Sequence, residues 1–199
     1  MNKILPLLTI AAAVAASLAV RMGAQTAPPA AGPHFTIDGR LQRPTNYREW
    51  IWLSSGLGMS YGPASRANAD PRFDNVFVTP AAYRSFLQTG TWPDRTLFVL
   101  EVRASESHGS INRDGHYQGA RVGMEAEVKD ERRFPGKWAF FDFRGPADSA
   151  APLPSSAPCY SCHAQNGAVD NTFVQFYPTL LEIARQKGTL TPNSDTPVR

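Results

Sequence analysis

Cysteine is almost absent from this chain: Cys159 and Cys162 are the only two in 199 residues. A framework of several disulfides is thereby excluded, as is a metal site built from cysteine alone. Lysine is scarce too, limited to Lys3, Lys129, Lys137 and Lys187, and the more numerous arginines form no basic run. A formal charge of +3 without such a run gives no reason to expect nucleic acid or anionic lipid as a partner. Long apolar stretches are lacking apart from one, Ile4 to Val20. Lys3 precedes it and small residues around Gly23 and Ala24 follow, the pattern of an export signal over residues 1–24. Its length is near the lower limit for a membrane span, so a retained N-terminal anchor is the alternative, and no other membrane contact is expected. On either reading the remainder of the chain belongs in the periplasm or outside the cell. Cleavage removes Lys3 and Arg21 and no acid, leaving a domain close to neutral.

What is present fits one domain. Residues 25–34 are rich in Pro and Ala and read as a flexible linker, residues 35–188 as the folded domain, and residues 189–199 as a mobile tail. A domain of that size can bury a real core, and eleven phenylalanines, six tyrosines and four tryptophans are available to fill it.

The spacing of apolar residues predicts an α+β fold, mainly an antiparallel sheet with short helices. Tyr47, Trp50, Ile51 and Leu53 come close to helical spacing, so a short helix is expected over residues 46–53. Residues 54–72, rich in Gly and Ser, read as a long loop. Strands are expected over residues 72–78, 96–103, 117–128 and 137–143, where β-branched and aromatic residues concentrate. Asp114-Gly115 is a hairpin signal between the second and third of these. Thr79-Pro80 opens a helix that Gly90 ends. Phe173, Phe176, Tyr177, Leu180, Leu181 and Ala184 form one helical face, which Pro178 should kink or divide.

One stretch carries chemistry. Cys159-Tyr160-Ser161-Cys162-His163 is the attachment pattern of a c-type haem. On a helical turn, positions i and i+3 share a face, so both sulfurs can bond one edge of a porphyrin while the adjacent imidazole ligates iron. A Cys159–Cys162 disulfide, a redox dithiol and half of a zinc site begin with the same two cysteines. The expected cofactor is one covalently attached haem c, with His163 as the metal ligand and the motif on a C-terminal helical segment. No methionine or histidine follows His163, so a sixth ligand could come only from Met59, Met124, His34, His108 or His116. Each has a more ordinary reading as loop, core or surface residue, which favours an open iron position.

In order along the chain, Asn46-Tyr47-Arg48-Glu49-Trp50, Val76-Phe77-Val78-Thr79-Pro80 with Tyr83 and Gly90, the stretch 96–103, Gly123-Met124-Glu125-Ala126 with Val128-Lys129-Asp130, Lys137-Trp138-Ala139-Phe140-Phe141, and Cys159–His163 followed by Phe173 and Phe176-Tyr177-Pro178 resemble the cytochrome P-460 family. The resemblance covers roughly residues 44–187. It implies a mainly antiparallel β domain, commonly a homodimer, with a five-coordinate haem c on His163. Members of the family oxidise hydroxylamine or, in the related cytochromes c′-β, bind gases. In the hydroxylamine-oxidising members a lysine immediately before a glutamate forms a further link to the porphyrin, and this chain has Leu100 before Glu101. Leucine cannot form that link, and the chain is closer to the c′-β branch.

Strand alternation places Phe98, Leu100 and Val102 on one face, so Phe98 and Leu100 are expected to present apolar surface to the haem. Such a wall admits a diatomic gas and supplies no base. Glu125 is the candidate base if the protein is an enzyme, although an exposed or paired carboxylate is the commoner role on a strand. Arg72 and Asp74 fall near the distal arginine of the catalytic members and receive no role. The leading expectation is a periplasmic mono-haem cytochrome that binds NO or a similar small ligand. The alternatives are a haem-dependent oxidoreductase acting on hydroxylamine or another small nitrogen compound, and an electron-transfer cytochrome with a redox partner protein.

Overall fold

The computed structural model of the protein describes residues 32–61, 71–143 and 145–192. The expected export signal, most of the expected linker, the centre of the expected loop at 62–70 and the last residues of the expected tail lie outside them. The elements in chain order are β1 (Leu41–Gln42), β2 (Ile51–Leu57), β3 (Arg72–Val78), α1 (Pro80–Thr89), β4 (Leu97–Glu106), β5 (Tyr117–Lys129), β6 (Trp138–Asp142), β7 (Ser149–Ala150), α2 (Pro158–Asn166) and α3 (Pro178–Lys187).

Five strands form one antiparallel sheet in the order β2-β3-β4-β5-β6, and β1 pairs separately with β7. The α+β expectation holds: strands consecutive in the chain pair antiparallel, with α1 between β3 and β4, and the short helices flank the sheet. Successive side chains of a strand point to opposite faces, so each central strand feeds two cores. On one face Val78, Phe98 and Trp138 pack with Ala82 and Phe86 of α1 and with Leu180 and Ala184 of α3. On the other, Leu97, Val99, Met124, Val128 and Phe141 pack beneath Leu41, Tyr47 and Trp50. Phe86, Trp92 and Phe98 form a continuous aromatic stack, with ring centroids 4.3 and 4.7 Å apart. Fully burying a side chain such as Phe86 stabilises the fold by roughly 1.5–3 kcal/mol.

The helix expected over residues 46–53 does not form. Tyr47–Glu49 makes a single 3-10 turn, and Ile51 starts the edge strand β2, which pairs Ile51 with Val78 and Leu57 with Phe73. A run of only eight residues is too short to hold a helix without tertiary support, and the free edge of β3 offers backbone partners instead. The same strand takes residues 54–57 out of the expected loop.

The other elements fall close to their predicted places. Pro80 stands at the first turn of α1 and Gly90 ends it in the left-handed conformation. Pro178 divides the C-terminal apolar face into a 3-10 turn at Val174–Phe176 and α3, so its missing N–H costs no helical hydrogen bond. Pro33 accepts a hydrogen bond from Arg95, and Thr189 and Thr191 bond the carbonyls of Gly90 and Ala168.

Candidate functional site

The cysteine motif occupies α2, whose start is fixed by Pro158 at its first turn. Tyr160, between the two cysteines, anchors the helix to the sheet. Its ring meets Phe140 of β6 edge-on at 4.9 Å, and its hydroxyl donates to the Leu153 carbonyl at 3.0 Å. With Tyr160 held inward, Cys159, Cys162 and His163 border a cavity of about 430 Å³ between α2, the sheet and the segment around Phe173. That volume lies within the range of small-molecule and cofactor sites. The two sulfurs are separate free thiols. Burial pushes the Cys159 thiol up, and the neighbouring Glu125 carboxylate adds to the effect.

His163 is the most constrained side chain of the site. Its ring lies between Phe140, at 4.5 Å, and Phe173, at 4.3 Å. Nδ1 lies 2.9 Å from the backbone carbonyl of Asn171, which can only accept, so this nitrogen carries the proton. In the neutral ring Nε2 is then the nitrogen without a proton, the one through which histidine binds a metal. The carbonyl is aimed by a tight turn in which Asp170 and Asn171 both have positive φ, at 49° and 63°. The Asp170 carboxylate is gripped by the Lys129 ammonium, which also donates to the Trp92 carbonyl at 2.8 Å. Gly167 is obligatory beneath this turn: a Cβ there would lie 2.6 Å from the Asn171 carbonyl carbon and 2.7 Å from the His163 oxygen.

A carboxylate missed by the sequence reading stands beside His163. Oε1 of Glu127, on β5, is 3.4 Å from Nδ1, is shielded from solvent and has no hydrogen-bond partner. Burial raises the Glu127 carboxyl above the usual range, with His163 pulling it back in part. For His163, burial disfavours the charged ring, but Glu127, the Asn171 carbonyl and Glu125 outweigh it and the net shift is upward.

The remaining wall comes from the sheet. Cross-strand register places Ser54, Val76, Leu100 and Glu125 in a row across β2, β3, β4 and β5, and all four line the cavity. Phe98 and Val102 line it too, as the alternation of β4 predicts. The expectation of a wall without a base holds for β4 only, because the flanking strands bring Asp74, Glu125 and Glu127 to the same space. Desolvation raises the Asp74 carboxyl, and Arg72 partly offsets this.

Of the five upstream histidines and methionines, Met59 alone lines the cavity. It folds back over Gly56, where a Cβ would come within 2.3 Å of its sulfur. Met124 is buried in the other core with its sulfur 3.5 Å from Arg43, and His34, His108 and His116 are exposed. Tyr61 closes the same side, its ring stacked on Phe173 at 6.2 Å. Among the described residues no group of three or more His, Cys, Asp and Glu side chains could hold a metal ion, so the half-zinc-site reading lacks its second half.

The helix that carries the cysteine motif is thus laid over the face of an antiparallel sheet, with a cavity between them. The family model for Cytochrome P460 matches residues 44–174, and the chain belongs to the cytochrome P460 family. Family membership carries a haem cofactor with it. No curated protein matches the chain. The residues present suit the group: a mostly apolar cavity, two free thiols at i and i+3, and an imidazole whose Nδ1 is held by the Asn171 carbonyl, leaving Nε2 for a metal.

Proposed function

We propose that the protein is a periplasmic cytochrome carrying one covalent haem c, whose iron takes up NO or a similar small ligand. The observation that carries this reading is the convergence of Cys159, Cys162 and His163 on one cavity, with His163 Nδ1 engaged by Asn171 and Nε2 left for a metal. Cys159 and Cys162 would form the two thioether bonds, and His163 the single protein bond to iron. When bound, the haem would supply an iron with one open axial position, suited to a diatomic gas. Phe98, Leu100, Val102 and Val76 give a gas an apolar approach that excludes bulk water. The export signal at residues 1–24 supports the periplasmic location. Among the described residues no strand pairs with the outer edge of β2, on which Trp52 is 57% exposed, and this supports a homodimer. A redox partner protein is required if the iron cycles.

Expression with a periplasmic haem-attachment system tests the cofactor directly. The intact mass should exceed that of the polypeptide by one haem, and the double variant C159S/C162S should lack the addition. A wild-type mass without haem overturns the proposal.

A second reading is favoured by Glu125, which lies opposite Leu100 in the register and faces the cavity. In an oxidoreductase acting on hydroxylamine or a similar nitrogen compound, its carboxylate would take protons from the bound substrate. Steady-state turnover with hydroxylamine, lost in Glu125→Gln, would establish this role, and unchanged turnover would rule it out.

A further inference from the structure

Strand β5 sets both polar neighbours of the proximal imidazole. One is the Asn171 carbonyl, held indirectly through Lys129 and Asp170. The other is Glu127 Oε1, 3.4 Å from the same Nδ1, buried and with no hydrogen-bond partner of its own. A buried carboxylate oxygen without a hydrogen bond destabilises the fold, so its place beside the imidazole is not explained by stability. Glu127 sits on the cavity side of the sheet two residues from Glu125, with its carboxylate within ion-pair distance of His163.

From this placement we propose that Glu127 is a positioning residue that acts on the iron through His163. The inference rests on the haem reading above. Its negative charge beside the Nδ1–H bond attracts that proton and pushes electron density onto the ring, giving the imidazole partial imidazolate character. A more basic imidazole binds ferric iron more strongly than ferrous, because the donor's extra negative charge favours the higher oxidation state. Two consequences follow together: the Fe(III)/Fe(II) potential is lowered, and the iron–imidazole bond of the ferrous protein is stiffened. Asn171 fixes the ring orientation through a neutral acceptor, whereas Glu127 adds the charge.

The holo-protein tests this by redox titration and by resonance Raman measurement of the ferrous iron–histidine stretch, on wild type, Glu127→Gln and Glu125→Gln. Glu127→Gln should raise the ferrous-to-ferric ratio at a fixed poise about tenfold, equivalent to about 59 mV for one electron. It should also lower the iron–histidine stretch. Glu125→Gln removes a charge from the same cavity and keeps the Glu127–His163 pair, so it should move the potential and leave the stretch in place. If Glu127→Gln fails to load haem, Glu127→Asp replaces it; its shorter carboxylate is drawn back from Nδ1, and both quantities should move in the same directions by less. A haem-loaded Glu127 variant with an unchanged stretch overturns the proposal while leaving the haem reading intact. Wild-type protein without covalent haem overturns the haem reading itself.

Discussion

Leu100 and Glu101 are consecutive residues of β4 that turn to opposite faces of the sheet. Leu100 lines the cavity beside the cysteine motif, whereas Glu101 is 1% exposed on the other side, where Tyr47, Arg48 and Arg103 donate to its carboxylate. The pair separates two tasks within one dipeptide. Leu100 is part of an apolar wall, and the adjoining acid holds the N-terminal segment onto the sheet.

Glu101 should therefore govern stability at acid pH. Burial alone would raise its carboxyl, but Tyr47, Arg103 and Arg48 outweigh burial and hold it below the ordinary value of 4.5. A group whose folded value is depressed stabilises the fold above its unfolded value, and that contribution is lost as pH falls through the folded one. Glu101→Gln should cost about 3 kcal/mol at pH 7, because Arg103 and Arg48 lose their partner. It should also flatten the decline in stability below about pH 4.5. Urea denaturation at pH 7 and pH 4 checks both; an equal loss at the two values contradicts the assignment.

Gly167→Ala tests the clamp on His163. A methyl group there meets the Asn171 backbone at 2.6–2.7 Å, closer than packed atoms tolerate. Overpacking of this kind costs about 1–3 kcal/mol. The turn should be displaced and the Asn171 carbonyl drawn from Nδ1, so the variant should lose stability in thermal unfolding and show a broadened or split haem spectrum. A variant with wild-type stability and an unaltered spectrum would mean that the turn yields freely.

Met59 supplies the third test. It is the one methionine lining the cavity, yet its thioether packs over Gly56 in an irregular segment. Met59→Leu should leave the ferric spectrum high-spin, as in the wild type, and change gas affinity by less than about tenfold, or about 1.4 kcal/mol. Conversion from a low-spin wild type to a high-spin variant would identify the thioether as an iron ligand and favour the electron carrier.

The parts of this fold legible in the sequence are those with a local physical signature. β3, β4, β5 and β6 are dense in β-branched and aromatic residues, α1 has a proline at its start and a glycine at its end, and Pro178 divides the last apolar face as expected. Trp50-Ile51-Trp52-Leu53 was illegible because four adjacent apolar residues have no period, and only pairing with β3 makes them a strand. Cys159, Cys162 and His163 lie with Phe98, Leu100 and Glu125 around one cavity. Glu127 escaped because alternate charges on a strand ordinarily mark a solvated face. The signal was nonetheless present: Glu125, Glu127 and Lys129 share the two-residue period that puts Glu125 opposite Leu100, and all three lie on the face covered by α2 and its following turn.

The most direct test of the account is the optical spectrum of the purified, haem-loaded protein, ferric and dithionite-reduced, before and after CO or NO. The account predicts a high-spin spectrum with an ordinary haem c Soret band that shifts on adding gas. A low-spin spectrum indifferent to both gases would contradict it.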